Sequence, residues 1–233
     1  MTADQPVFIV GASHSGTSWL LAILGAHSNL HPIGFETYMA TQSSLTQYVK
    51  RFNREAIKAN KKRWVEKTPS HVYHMEKLLK NVPNSRILVI IRDGRDVAYS
   101  IKQRMGCCKK GIQQWVRANL AALNYEKNDK VHFLTYEDIV QNFKQTISTV
   151  LRFLGEEYEE SLEDYYKTPK KWYSNTISKL PGRSSQYHTQ YRNWQINQPP
   201  FDGRGQWKKL SEAEIQHVTT YGYDLLKKFN YIT

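Results

Sequence analysis

An α/β fold, a mostly parallel sheet doubly wound with helices on both faces, is predicted by three observations. Short apolar strand signals alternate with helical segments from the N-terminus to about residue 154. The strongest of them, "RILVIIR" (Arg86–Arg92), is a continuous β-branched run of the kind a parallel sheet buries on both faces. A glycine-bounded loop, "GASHSGTSWL" (Gly11–Leu20), stands between a strand signal and a helix signal.

The elements follow in order. "PVFIVG" (Pro6–Gly11) reads as a buried strand, and "TSWLLAILGAHS" takes up helical periodicity at once. A helical segment over about 37–59 leads to the strand "RWVEKTP", stopped by Pro69. Helical patterns over about 70–81, 94–105, 112–127 and 138–154 enclose the strands Arg86–Arg92 and "KVHFLTY" (Lys130–Tyr136). In such sheets ligands bind beyond the carboxyl ends of the strands. The loop, Lys67, Arg92 and Tyr136 all fall there. Residues 168–207 carry prolines, glycines and aromatics without a period, which predicts a lid or binding loop. Their Tyr and Trp residues could stack on a ligand or form the lid's own core. The last segment, Ser211–Asn230, predicts a helix opened by a Ser211–Glu214 capping box.

At 233 residues, 40% hydrophobic and 23% charged, the chain is expected to be a single globular domain over 1–233 rather than a disordered one. A formal charge of +12 favours an anionic partner, and nucleic acid, a membrane surface, an anionic cofactor and an acidic acceptor all fit that sign. The two cysteines, Cys107 and Cys108, are adjacent and badly placed for a structural crosslink, so a reducing compartment is expected. "MTADQPVFIVG" lacks the features of a signal peptide, and no stretch is long enough to span a bilayer. A cytoplasmic location and no membrane span are the expectation.

The loop keeps the Gly11–Gly16 spacing and the Ser18 hydroxyl of a nucleoside-triphosphate loop but has Thr17 where the lysine belongs. Backbone amides of 13–18 at a helix N-terminus, with hydroxyls from Ser15, Thr17 and Ser18, suit an anion smaller than a triphosphate, such as a 5′-phosphate. The plain alternative is a Gly/Ser-rich turn. In "RILVIIRDGRDVAYS", Arg92 closes a strand and Ser100 follows on a helix, an arrangement suited to a dianionic phosphate. Here the plain alternative is an ion-paired helix start built from Asp93, Arg95 and Asp96. Two anion sites on neighbouring strands are harder to dismiss than either alone.

"GASHSGTSW" together with "RILVIIRDGRDVAYS" resembles the 5′- and 3′-phosphate elements of sulfotransferases that use 3′-phosphoadenosine 5′-phosphosulfate. "YED" (Tyr136–Asp138) and "GRGQWKKLSEAE" are similar to that family too, in the same order along nearly the whole chain. The resemblance implies a P-loop-like α/β fold and transfer of a sulfuryl group to a hydroxyl or amine. It accounts for the missing lysine, since the donor carries a single 5′-phosphate and a sulfonate, with no required metal. It places Ser13, His14, Ser15, Gly16, Thr17 and Ser18 at the 5′-phosphosulfate and Arg92 and Ser100 at the 3′-phosphate. Tyr136, Arg204 and Trp19 would lie on the nucleotide, although a Trp on the first helix is also a core residue by habit. Adenosine 3′,5′-bisphosphate (PAP) would be the product.

The family has Lys or Arg just before "SGT", where this chain has His14, which could donate to the leaving phosphate in the right protonation state. Glu36, in "HPIGFETYM", resembles the glutamate base of carbohydrate- and tyrosine-modifying members, and is equally readable as a solvated helix start. Lys67, in "EKTPSH", resembles the lysine that meets charge on the transferring group, whereas His71 reads as a polar residue of the next helix. His27, His31, His71 and His74 form no zinc pattern, and no metal is expected. The acceptor is expected to be a small-molecule, glycan or lipid hydroxyl, with no nucleic acid partner. Two rival readings are a small-molecule kinase with a degenerate phosphate loop and a noncatalytic binder of phospho-ligands or nucleic acid.

Overall fold

The structure, a computed structural model, describes residues 5–175 and 182–233. Its elements are β1 (Val7–Gly11), α1 (Thr17–Leu24), β2 (Leu30–Pro32), α2 (Leu45–Lys58), β3 (Arg63–Lys67), α3 (Met75–Asn81), β4 (Arg86–Ile91), α4 (Gly94–Met105), α5 (Cys108–Leu123), β5 (Val131–Thr135), α6 (Tyr136–Gln141), α7 (Phe143–Leu154), α8 (His188–Gln195), α9 (Glu212–Tyr221) and α10 (Tyr223–Lys228). The five strands form one sheet in the order β2-β3-β1-β4-β5, parallel throughout. This is the doubly wound α/β architecture expected from the alternation of strand and helix signals.

Strand periodicity sorts the core into two layers. Phe8 and Val10 of β1, with Trp64, Ile87 and Val89, pack against Phe52 of α2, Val97 of α4 and Trp115 of α5. Val7 and Ile9, with Val65, Leu88 and Ile90, pack against α1 and α7 on the opposite face. Both faces of β1 are therefore dry, which explains a strand of five buried residues without a charge. Leu20 to Leu24 of α1 are also fully buried. The helix is wedged against the sheet and carries the phosphate-like loop on its N-terminus.

Several boundaries differ from the sequence expectation. The three-residue β2 was not foreseen, being too short to show a period. The helix expected from residue 37 begins at Leu45, after a 3₁₀ turn over Met39–Thr41. Likewise Pro69–His74 form a 3₁₀ turn before α3. The segment 138–154 is two helices broken at Asn142, whose φ of −135° leaves the helical region, and the C-terminal helix divides at Gly222. The Ser211–Glu214 capping box is present. Within 168–207, residues 176–181 lie outside the described residues, while α8 supplies a helix where no period was visible. No helix among the described residues is long and apolar enough to cross a membrane.

Candidate active site

The carboxyl ends of β1, β3 and β4 open onto a cavity of about 210 Å³. The loop after β1 is built by backbone geometry that few residues adopt. Gly11 has φ 144°, and a Cβ there would stand 2.5 Å from the Ile90 carbonyl oxygen of the neighbouring strand. Gly16 has φ 97°, and its Cβ would press the Tyr136 ring at 2.9 Å. Between them His14 takes the left-handed conformation without being glycine, at φ 69°. The Ser15 amide is used inside the loop, donating to the Ala12 carbonyl at 3.2 Å. The first amides of α1, by contrast, have no partner within the helix. Ser13, Gly16, Thr17 and Ser18 line the cavity, and Trp19 closes its floor, its indole donating to the Tyr165 hydroxyl at 2.8 Å. The Ser15 hydroxyl is fully buried and has no hydrogen-bond partner.

Across the cavity, Arg92 leaves the end of β4. Its two terminal nitrogens donate to the His14 carbonyl at 3.1 Å and the Gly203 carbonyl at 2.5 Å, while its Nε is buried without a partner. The guanidinium lies 4.3 Å above the Tyr136 ring. Arg95, three residues on, does something else. It pairs with Asp93, the N-cap of α4, at 2.7 Å and packs on Trp207. The ion-paired helix start read from "RDGRD" is thus built by Asp93 and Arg95, while Arg92 turns to the cavity instead. Asp96 accepts the Gly205 and Trp207 amides at 2.9 and 2.8 Å, and the Tyr136 hydroxyl accepts the Gly203 amide at 3.0 Å. These bonds lace the "GRGQW" strap onto the ends of β4 and β5.

His14 joins the two elements, its Nδ1 standing 2.9 Å from Ser100 Oγ. Burial, reinforced by His188 and by Arg104, Arg192 and Arg92, pushes its imidazole down to about 3, so at neutral pH the ring is uncharged. It can still donate one N–H into the cavity, but it supplies no positive charge there.

At the third strand end, Lys67 Nζ donates to Glu36 Oε1 at 2.6 Å, with the lysine fully buried. Arg192 of α8 meets the same oxygen at 3.0 Å, and the Tyr38 hydroxyl donates to Glu36 Oε2 at 2.7 Å. Burial alone would raise the Glu36 carboxyl, but Lys67, Arg192 and these hydrogen bonds outweigh it and hold the group at about 2. The hydrogen bond to Glu36, with burial, pushes Tyr38 up to about 12. Behind the pair, Glu66 and His71 are both fully buried, 3.2 Å apart, and Glu66 also accepts from Thr37 and Thr68. His71 is thus an interior residue bracing the Glu36 loop through the Ala40 amide, not a polar residue on an outer helix face.

Of the sequence-derived candidates, Ser13, His14, Gly16, Thr17, Ser18, Trp19, Glu36, Arg92, Ser100 and Tyr136 share the cavity wall. Lys67 reaches it through Glu36, and Ser15 lies beneath the loop. Arg204 does not line it. Its guanidinium forms a fork on Asp202 at 2.8 and 2.9 Å, and Phe201 occupies the wall at that point. Among the cavity residues that escaped sequence reasoning are Arg104, Arg183, His188 and Arg192. Helical spacing could have found all of these but Arg183, since Arg104 is one turn beyond Ser100 and His188 and Arg192 are one turn apart.

The fold is shared with known proteins. The chain spans about 30% of the length of a curated relative, an uncharacterized protein of Aquifex aeolicus, matched at 22% identity over 82% of this chain. Among solved structures, the sulfotransferase domain of the curacin biosynthetic pathway superposes with TM-score 0.58 at 17% identity, covering 94% of this chain and 98% of that one. A mouse sulfotransferase complexed with PAP gives TM-score 0.61 at 15% identity over 97% of this chain and 88% of its own. The sulfotransferase domain of a Synechococcus PCC 7002 olefin synthase gives 0.55 at 18% identity over 94% and 96%. At these identities the superpositions establish the fold. Residues 35–160, more than half of the chain, match the model of the sulfotransferase family, and this chain belongs to that family.

Proposed function

We propose that this protein transfers a sulfuryl group from 3′-phosphoadenosine 5′-phosphosulfate to a hydroxyl of its acceptor. The observation that carries the reading is the pairing of two anion cradles, the α1 loop and the Arg92–Ser100 edge, 2.9 Å apart at His14 and Ser100, with a Glu36–Lys67 pair on the same cavity. The orphaned Ser15 Oγ and Arg92 Nε are donors with nothing to bond in the free protein, which fits a phosphorylated nucleotide at this place. Three of the similar solved structures are complexes with PAP.

When bound, the donor supplies the sulfonate and a 5′-phosphate leaving group. Glu36 takes the proton of the acceptor hydroxyl while that oxygen bonds to sulfur and the bond from sulfur to the 5′-phosphate oxygen breaks, its electron pair leaving on that oxygen. Lys67, the α1 amides and a neutral His14 N–H meet the negative charge that develops there. The α8 helix, through His188, Tyr191 and Arg192, stands on the acceptor side.

PAP is expected to raise the melting temperature without magnesium, by about 2.7 kcal/mol of added stability at 100 times its Kd. ATP with magnesium should do less; the opposite order would favour a kinase. A screen of phenols, glycans, lipids and tyrosine peptides with labelled donor then tests turnover. Binding without transfer to any acceptor would favour a noncatalytic binder.

Arg92→Ala should weaken PAP by about 1.5–3 kcal/mol, the worth of a charge-assisted hydrogen bond. Adenosine 5′-monophosphate, lacking the 3′ group, should lose far less. Equal losses for the two nucleotides would assign Arg92 to holding the Gly203 strap.

A further inference from the structure

The cavity carries cations in addition to Arg92. Arg92 and Ser100 are taken by the 3′-phosphate in the reading above. Arg104, Arg183 and Arg192 also line the cavity, with His188, against a single lining carboxylate, Glu36. Arg192 is shared with Glu36 at 3.0 Å, and Arg183 lies over the Tyr191 ring at 5.3 Å. Among the described residues no carboxylate pairs with Arg104, and its Nε is buried with no hydrogen-bond partner. Arg183 is exposed and Arg104 and Arg192 are half-buried, so these guanidiniums stand at the cavity mouth with Glu36 as their one lining carboxylate, and an anion entering there meets an excess of positive charge.

The placement is specific. Arg104 sits one turn beyond Ser100, so it extends the same face of α4 outward from the donor edge. His188 and Arg192 project from α8, and Arg192 stacks 4.7 Å from the Tyr173 ring beside Glu36. Charge repulsion within the group is visible in His188, which burial, Arg192 and Arg104 push down to about 4. Arg192 contacts Glu36 directly, and Arg104 shares the cavity close enough to feel the charges of both.

We propose that the acceptor is a hydroxy acid, carrying a carboxylate close to the hydroxyl that is sulfonated, and that Arg104 and Arg192 bind that carboxylate. The word acceptor rests on the sulfuryl-transfer reading; the anion site itself does not. A guanidinium fork matches a carboxylate in plane and charge. Binding also has a consequence for the chemistry. A carboxylate that draws Arg192 toward itself removes one of the two cations clamping Glu36, so the base becomes stronger when the correct acceptor is seated.

The test uses the full chain with PAP bound and pairs of ligands that differ only in charge: 4-hydroxybenzoate against 4-hydroxybenzamide, and methyl glucuronide against methyl glucoside. Calorimetry is expected to show the carboxylate member of at least one pair binding about tenfold or more tightly, with the preference falling as salt is raised. Arg104→Gln and Arg192→Gln should each erase most of that preference, and Arg104→Lys should keep part of it. PAP affinity and melting temperature of each variant report folding. Equal affinity within both pairs overturns the proposal, and so does an Arg104→Gln variant that weakens PAP as much as it weakens the carboxylate ligand. Transfer from labelled donor separates the two readings. Carboxylate-selective binding with no transfer keeps the anion site and removes the sulfuryl-transfer reading. Transfer without selectivity does the reverse.

Discussion

Glu36→Gln is expected to lower kcat by about 10²–10⁴-fold with an acceptor identified by the screen above, the range a positioned general base supplies. Glutamine keeps the shape; its one oxygen can still accept from Lys67 while its amide NH2 donates to the Tyr38 hydroxyl oxygen, so packing is nearly preserved while the proton acceptor is lost. The pH dependence sharpens the test. In the free protein Glu36 is held at about 2, against an ordinary value of 4.5, so it is ionised throughout the neutral and mildly acid range. An acid limb in kcat/KM, which reports the free enzyme, should therefore be missing above about pH 4 as far as Glu36 is concerned. A bound acceptor and a developing charge on the leaving group share its cations, so the acid limb of kcat should lie higher than that of kcat/KM. The stability consequence has the sign of a depressed carboxylate. The contribution is present above about 4.5 and is lost as pH falls through about 2, and the glutamine variant should lack it. Wild-type kcat in Glu36→Gln would remove this residue from the reaction and turn attention to His14, which is neutral and on the same cavity.

Lys67→Met is expected to lower kcat by about 10²–10³-fold, the usual loss when a preorganised charge donor is removed. Methionine retains much of the buried stem, which limits the cavity left behind, whereas alanine would add a packing defect. Lys67 is fully buried at the end of β3 and lies 2.6 Å from Glu36 and 5.2 Å from the Tyr173 ring centre. Its loss also leaves Glu36 with Arg192 and the Tyr38 hydroxyl only. The Glu36 carboxyl should then rise from about 2 toward its ordinary value, and an acid limb should emerge in kcat/KM of the variant. Measuring kcat and the pH profile together separates the roles. A displaced acid limb with kcat retained would make Lys67 a positioning partner of Glu36. A loss of kcat at every pH makes it a stabiliser of the transferring charge.

The main strand ends, the loop with Thr17 in place of a lysine, and the pairing of Arg92 with Ser100 were all legible along the chain. Each depends on residues close in sequence: a five-residue apolar strand, a Gly11–Gly16 spacing, an arginine at a strand end followed eight residues later by a serine on the next helix. Local periodicity and local backbone preference suffice to write such features. The parallel sheet follows from them as well, because strands alternating with helices have few other ways to bury both faces. What the sequence could not decide were relations between distant segments. That Arg192 stands on Glu36, 156 residues earlier, that Asp96 and Tyr136 hold down the "GRGQW" strap, and that Arg204 is spent on Asp202 away from the cavity are all products of chain return. Charge shows the same division. Composition established an excess of 12 positive charges, but the folded chain decided that three arginines beyond Arg92 face one cavity. It also decided that His14 among them is uncharged. Sequence determines which groups can ionise. Burial and neighbours, which exist only after the strands and helices have packed, determine which of them do.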